Sequence, residues 1–168
     1  FHHILSRRSN KDEYSSKTVT DKTISRLVKQ GESFGVTIDS TSEKNLVSKL
    51  QALSWQAYAK EANTREAYQE SIDLMRFGPA EVAKNPDGIT MDSRFLSMLN
   101  LTGIINRNTI ADPISSAFQQ GLEMYLEKIN STSTFLWLTN TGDTRRDEIN
   151  VGRVYLRVNL QATKESLA

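Results

Sequence analysis

Apolar residues recur at helical spacing through the middle of this chain and at alternating spacing near its end. Ile24, Leu27 and Val28 are spaced for a short helix running to Gln30, where Gly31 stops it. Phe34, Val36 and Ile38 alternate with small or polar residues, which predicts a short strand. Ser40-Thr41-Ser42-Glu43 then has the form of a capping box, a hydroxyl covering a first-turn amide while a carboxylate reaches back, and a helix should start there. Leu46, Leu50, Leu53 and Ala57 give that helix one core-facing stripe, widened by Val47, Trp55 and Tyr58. Asn63-Thr64-Arg65-Glu66 repeats the cap, and Ala67, Ile72, Leu74, Met75 and Phe77 carry a second helix to a stop at Gly78-Pro79. If the first of these ends near Glu61, the connection is short enough to make an antiparallel hairpin.

Asn85-Pro86-Asp87-Gly88 joins a preset proline φ to a glycine that tolerates positive φ, so a turn is predicted. Met91, Phe95, Leu96, Met98 and Leu99 predict a helix that ends before Thr102-Gly103. Asp112-Pro113 supplies an N-cap and a first-turn proline to a longer helix with Ile114, Phe118, Leu122, Tyr125, Leu126 and Ile129 on one stripe. Past Asn130 the period changes, and residues 133–139 predict a buried strand. A turn at 140–143 and an exposed polar loop at 144–150 follow. Val154, Leu156, Val158 and Leu160 alternate with Tyr155, Arg157, Asn159 and Gln161, the pattern of a strand with one apolar face. The expected fold is therefore α+β and mainly α, with four or five helices and a small C-terminal antiparallel β-element. Residues 1–23, polar and basic without a sustained period, read as an extended or mobile arm, and 24–168 as one globular domain.

Composition agrees with a folded chain. Of 168 residues, 38% are apolar and 24% charged, and the longest apolar run, 135–138, is far too short for a membrane span. Phe1 in place of an initiating methionine leads us to expect a longer or processed product, whose preceding residues are unknown. The net charge of +1 is unevenly spread: residues 1–60 hold 10 Lys/Arg against 6 Asp/Glu, and 61–168 hold 11 against 14. Opposite excesses of this kind can steer like subunits together.

The chain is poor in reactive side chains. It has no cysteine, which excludes disulfides and thiolate metal sites, and its imidazoles are confined to His2 and His3. No catalytic residue, metal or cofactor is expected. Glu66, Glu70 and Asp73 share helical spacing but read as a solvated face, although paired carboxylates leave a small carbohydrate-active enzyme as a distant third reading. Residues 31–35, Gly-Glu-Ser-Phe-Gly, lack the lysine of a phosphate loop and read as a turn. Asn100-Leu101-Thr102 and Asn130-Ser131-Thr132 match the short glycosylation pattern and read equally as turns after helices. Arg7, Arg8, Lys11, Lys17, Lys22, Arg26 and Lys29 could contact phosphates, which makes nucleic-acid binding by the basic arm the alternative function.

One stretch resembles a known family. The order of a helix through residues 118–126, a strand Phe135-Leu136-Trp137-Leu138-Thr139, an Asn/Thr-rich turn and a final alternating segment over 149–161 is similar to the C-terminal region of bacteriophage contractile-tail sheath proteins. The likeness covers residues 112–161. It implies a repeated, non-enzymatic subunit of a particle, self-associating or meeting other particle subunits through exchanged strands, and located in a virion or the cytoplasm of an infected cell. On that reading Val154, Tyr155, Leu156, Arg157 and Val158 supply strand contacts, and Arg145, Arg146, Asp147 and Glu148 polar contacts from the loop. The other pairing open to the final segment is with residues 134–139 of its own domain.

Overall fold

Residues 3–7, 9–10, 12–91 and 94–167 are described by a computed structural model, the side chains of 94–97 excepted. Among these residues the chain forms eight α-helices, one 3-10 turn and four short strands, so it is mainly α with a small antiparallel sheet, but with more helices than the four or five expected. Buried side chains form two clusters in place of the single core expected over 24–168. The clusters belong to two compact units, the first made of residues 1–51 and 128–168, the second of residues 52–127.

The first unit begins with helix α1 (Asp21–Val28), capped by Thr20, whose hydroxyl oxygen accepts from the Thr23 amide. A 3-10 turn (Glu32–Phe34) closes at Gly35, which has a φ of 68°, and leads to strand β1 (Thr37–Thr41). Helix α2 (Lys44–Ala62) starts in this unit, and its cap is the Glu43 carboxylate, which accepts from the Asn45 and Leu46 amides at 2.8 and 2.7 Å. The cap thus sits three residues later than Ser40. The buried face also differs from the expected stripe: Val47 and Ala62 are buried, whereas Leu46, Leu53 and Ala57 are exposed.

The second unit contains α3 (Arg65–Asp73), β2 (Met75–Phe77), α4 (Gly78–Lys84), β3 (Ile89–Met91), α5 (Arg94–Leu101) and α6 (Arg107–Ala111). Gly78-Pro79 does not end a helix as expected; α3 has stopped at Asp73, and the glycine, at a φ of 72°, and the proline start α4. Proline suits a first turn because the amide it lacks would be unpaired there. The turn at 85–88 brings β3 back parallel to β2, with Met75 opposite Ile89. Gly88 has a φ of 79° and lies against the Leu74 carbonyl, where a Cβ would collide. The core of this unit is Ala62, Tyr68, Ile72, Phe77, Ile110 and Phe118, with the Tyr68 ring edge-on to Phe118 at 5.5 Å.

Helix α7 (Ser116–Ser131) runs from the second unit into the first. It is capped by Ser115, whose Oγ accepts from the Phe118 amide at 3.0 Å, rather than by Asp112, which closes α6. Ile114 is left outside the helix and exposed. Strand β4 (Phe135–Thr139) then forms within the 133–139 stretch, though half-buried to exposed in place of the buried strand expected, and pairs antiparallel with β1, Thr37 opposite Thr139 and Thr41 opposite Phe135.

The largest correction is at the end of the chain. Residues expected as an exposed loop and a strand form one helix, α8 (Arg145–Lys164). Thr144 and Asp147 make the capping box that starts it, the Asp147 amide donating to Thr144 Oγ1 at 3.3 Å and the Thr144 amide to Asp147 Oδ2 at 3.1 Å. Val151, Val154 and Val158 fall three and four residues apart and form the face that packs on Val36, Ile38, Leu136 and Leu138. Val154 has no solvent exposure. A strand could not have placed these three valines on one face, because residues an odd number apart point to opposite sides of a sheet.

Candidate interaction surfaces

The β1–β4 sheet has only two strands, so each strand has one edge without a partner in the sheet. Among the described residues no further backbone hydrogen bond reaches residues 37–41 or 135–139. Edges of this kind are templates for another strand. Beside the sheet, residues 12–19 of the arm run without regular structure, and Lys17-Thr18-Val19-Thr20 is rich in β-branched residues. Among the described residues, Asp12 bonds back to Asn10 within the arm, and one hydrogen bond joins 12–19 to the chain beyond residue 19, from the Tyr14 amide to Ser131 Oγ at 2.9 Å. A cavity of about 910 Å³ separates the arm from the sheet and α8, lined by Tyr14, Lys17, Leu136, Leu138, Tyr155 and Val158, among others.

The residues predicted to contact neighbours lie in different settings on α8. Val154 is sealed in the core and presents no contact to a neighbour, whereas Val158, half-buried beside it, also lines the cavity. Asp147 belongs to the helix cap, and hydrogen bonds from the Thr144 hydroxyl and amide hold its carboxyl below the usual range. Arg145 pairs with Glu148 one turn on, at 2.8 Å, and both are exposed, as is Arg146. Tyr155 and Leu156 are exposed, Tyr155 along the cavity and Leu156 on the other flank of the helix. On that flank Leu156 and Leu160 join Ile4 and Phe34 in an apolar groove of about 440 Å³ whose rim carries Arg153 and Arg157. The Arg157 guanidinium lies over the Phe34 ring, 4.8 Å from its centre. Sequence reasoning named Leu156, Arg157 and Leu160 but missed Phe34 and Arg153. The available signal was the four-residue spacing of both the arginines and the leucines.

The basic residues of the nucleic-acid alternative are also dispersed in role. Arg8 and Lys11 lie outside the described residues, as does His2. Arg26 is engaged by Glu165 through both carboxylate oxygens, at 2.9 and 2.7 Å. Lys17 lines the cavity, Lys22 and Lys29 are exposed at the two ends of α1, and Arg7 is half-buried. Charge follows the units more sharply than the halves of the sequence. The first unit holds 15 Lys/Arg against 10 Asp/Glu, and the second 6 against 10, giving +5 and −4.

In the second unit, Glu81, Arg107, Tyr58 and Tyr68 are engaged by contacts within that unit. Glu81 accepts from Arg107 and from the Phe77 amide, and these bonds bring its carboxyl down to about 2. Burial raises the Tyr58 phenol, with Tyr68 and Tyr125 adding to the effect, and its ring stacks on Tyr125 at 3.7 Å. Among the described residues, no three His, Asp or Glu side chains are grouped to hold a metal ion, and no helix is long and apolar enough to cross a membrane. No family model matches this sequence, and neither a curated protein nor a solved structure matches it.

Proposed function

We propose that this chain is a non-enzymatic structural subunit that self-associates, with the open edges of the β1–β4 sheet receiving an extended segment from a neighbour. The observation that carries the reading is, among the described residues, a two-stranded sheet with both outer edges unpaired beside an arm whose residues 12–19 make a single hydrogen bond to the chain beyond residue 19. Two-stranded ribbons are marginal in water, and a third strand adds backbone hydrogen bonds without disturbing either core. The arm is the natural donor, since α8 is a helix and cannot supply the strand first expected from 154–160. A repeating particle of the phage-tail kind, suggested by the resemblance over 112–161, is the setting this reading favours. The scarcity of imidazole and the absence of cysteine support a role based on surface complementarity.

Sedimentation velocity of the full chain and of a form lacking residues 1–19, over a wide range of concentration, tests the proposal. Thr20 is retained so that the cap of α1 survives. The full chain is expected to associate and the truncated form to associate more weakly with an unchanged circular dichroism spectrum. A full chain that stays monomeric at every concentration overturns the proposal.

A further inference from the structure

The two units differ in the sign of their charge, and each has a helix that bears two charges of that sign one turn apart. On α8, Arg153 and Arg157 stand one helical turn apart on the rim of the apolar groove, with Leu156 and Leu160 at the same spacing inside it. On α7, within the second unit, Glu123 and Glu127 are also four residues apart, both exposed, with Met124 exposed beside them. Four residues of helix rise by about 6 Å, so the spacing of the two arginines equals that of the two glutamates. Among the described residues, none of these four side chains makes an ion pair. Arg153 has one long hydrogen bond to Asn150 Oδ1, at 3.4 Å, and Arg157 rests on Phe34.

Building on the self-association proposed above, we infer that the arginine-rimmed groove of α8 receives the α7 face Glu123–Met124–Glu127 of a second copy. Met124 enters the groove against Leu156, Leu160 and Phe34, while the two glutamates meet the two arginines on its rim. Methionine suits this place because its unbranched, polarisable side chain adapts to an irregular apolar surface and packs well on an aromatic ring. The apolar contact supplies affinity, and the paired charges fix register and disfavour the like-to-like approach of two grooves. A contact between unlike surfaces of identical chains is heterologous, and it propagates into a ring or an open helical array. That is the geometry a repeating particle requires.

The acidic face of α7 argues for a second copy over an anionic membrane. Charge on the second unit, at −4, would oppose a surface of its own sign, whereas a neighbouring copy brings the two signs together.

Charge exchange provides the test, with sedimentation velocity on the full chain as the readout and circular dichroism as the check on folding. R153E/R157E places four acidic groups at the contact, and E123R/E127R places four basic ones. Each variant alone is expected to associate on the order of tenfold to a hundredfold more weakly than the parent, and added salt should weaken the parent. Mixing the two variants restores opposite signs at both kinds of contact and should recover association. Parent-like association of either variant alone, or a mixture no stronger than its components, overturns the groove assignment while leaving self-association through the sheet edge standing. A parent chain that never associates removes the broader reading as well. A parallel titration with phosphatidylglycerol vesicles identifies a lipid occupant: vesicle binding lost in R153E/R157E, with self-association unchanged, overturns the assignment to a second copy.

Discussion

Replacing Val154 and Leu156 separately by alanine distinguishes the helix from the strand that the sequence pattern suggests. In a strand, residues 154 and 156 share one face and would be buried or exposed together. In α8 they are two residues apart on a helix, so Val154 is fully enclosed while Leu156 remains 52% exposed. Val154→Ala removes two methyl-sized groups from the core at about 0.8 kcal/mol each. The cavity left among Val36, Ile38 and the flanking valines adds roughly 1 kcal/mol. Alanine's better helix propensity returns about 0.5 kcal/mol, so a net loss of about 2 kcal/mol is expected. Leu156→Ala loses three carbons that are already half in water and gains no cavity, which holds its cost below about 1 kcal/mol. Urea unfolding followed by far-ultraviolet circular dichroism, at a protein concentration low enough to suppress association, measures both. Equal losses at the two positions would refute the helical placement of this segment and the packing of α8 on the sheet.

Two further perturbations probe the second unit. Phe118 is 1% exposed and packs edge-on to Tyr68, so Phe118→Ala should destabilise that unit by about 4 kcal/mol, measured by the same unfolding assay. The Glu81 carboxyl is held down to about 2 by Arg107, so its contribution is fully present above the unfolded carboxylate value near 4.3 and is lost as pH falls toward 2. Both partners are about 40% exposed, and screening by solvent limits the effect to about 1 kcal/mol. Stability should decline over that acid window in the parent and less steeply in Glu81→Gln; parallel pH profiles would show that the pair is not the cause.

Elements defined by strong local chemistry were legible in the sequence. β4 was apparent because Phe135, Trp137 and Thr139 favour strands and turn residues bound the segment. The turn at 85–88 was visible in its proline and glycine, and α5 and α7 in their apolar spacing. What was hidden depended on competition between neighbouring signals. Ser40 and Glu43 can each cap a helix, and the pairing of Ser40 with Leu136 in the sheet removes the serine from that competition. Gly78-Pro79 can end one helix or begin another, and the choice follows from Phe77 being drawn into the core beside Met91 through a parallel pairing that no local pattern announces. The small sheet was misassigned in partner for a related reason. β1 and β4 are joined only after the chain has passed through the second unit, and such distant pairing leaves no periodic trace.

The misreading of α8 bears directly on the proposed contact. Val151, Val154 and Val158 alone would have read as a helix stripe, but Leu156 and Leu160 complete an alternating series and tip the pattern toward a strand. A helix whose only task was to cover the β1–β4 sheet would gain nothing from leucines outside the valine face, where water-exposed apolar surface favours aggregation. Those surplus leucines are the ones that line the groove between Arg153 and Arg157. A conflict between local pattern and the demands of the core is expected where a surface serves something other than folding. On this argument the two leucines are held in place by association, and their replacement by polar residues should cost self-association more than it costs the fold.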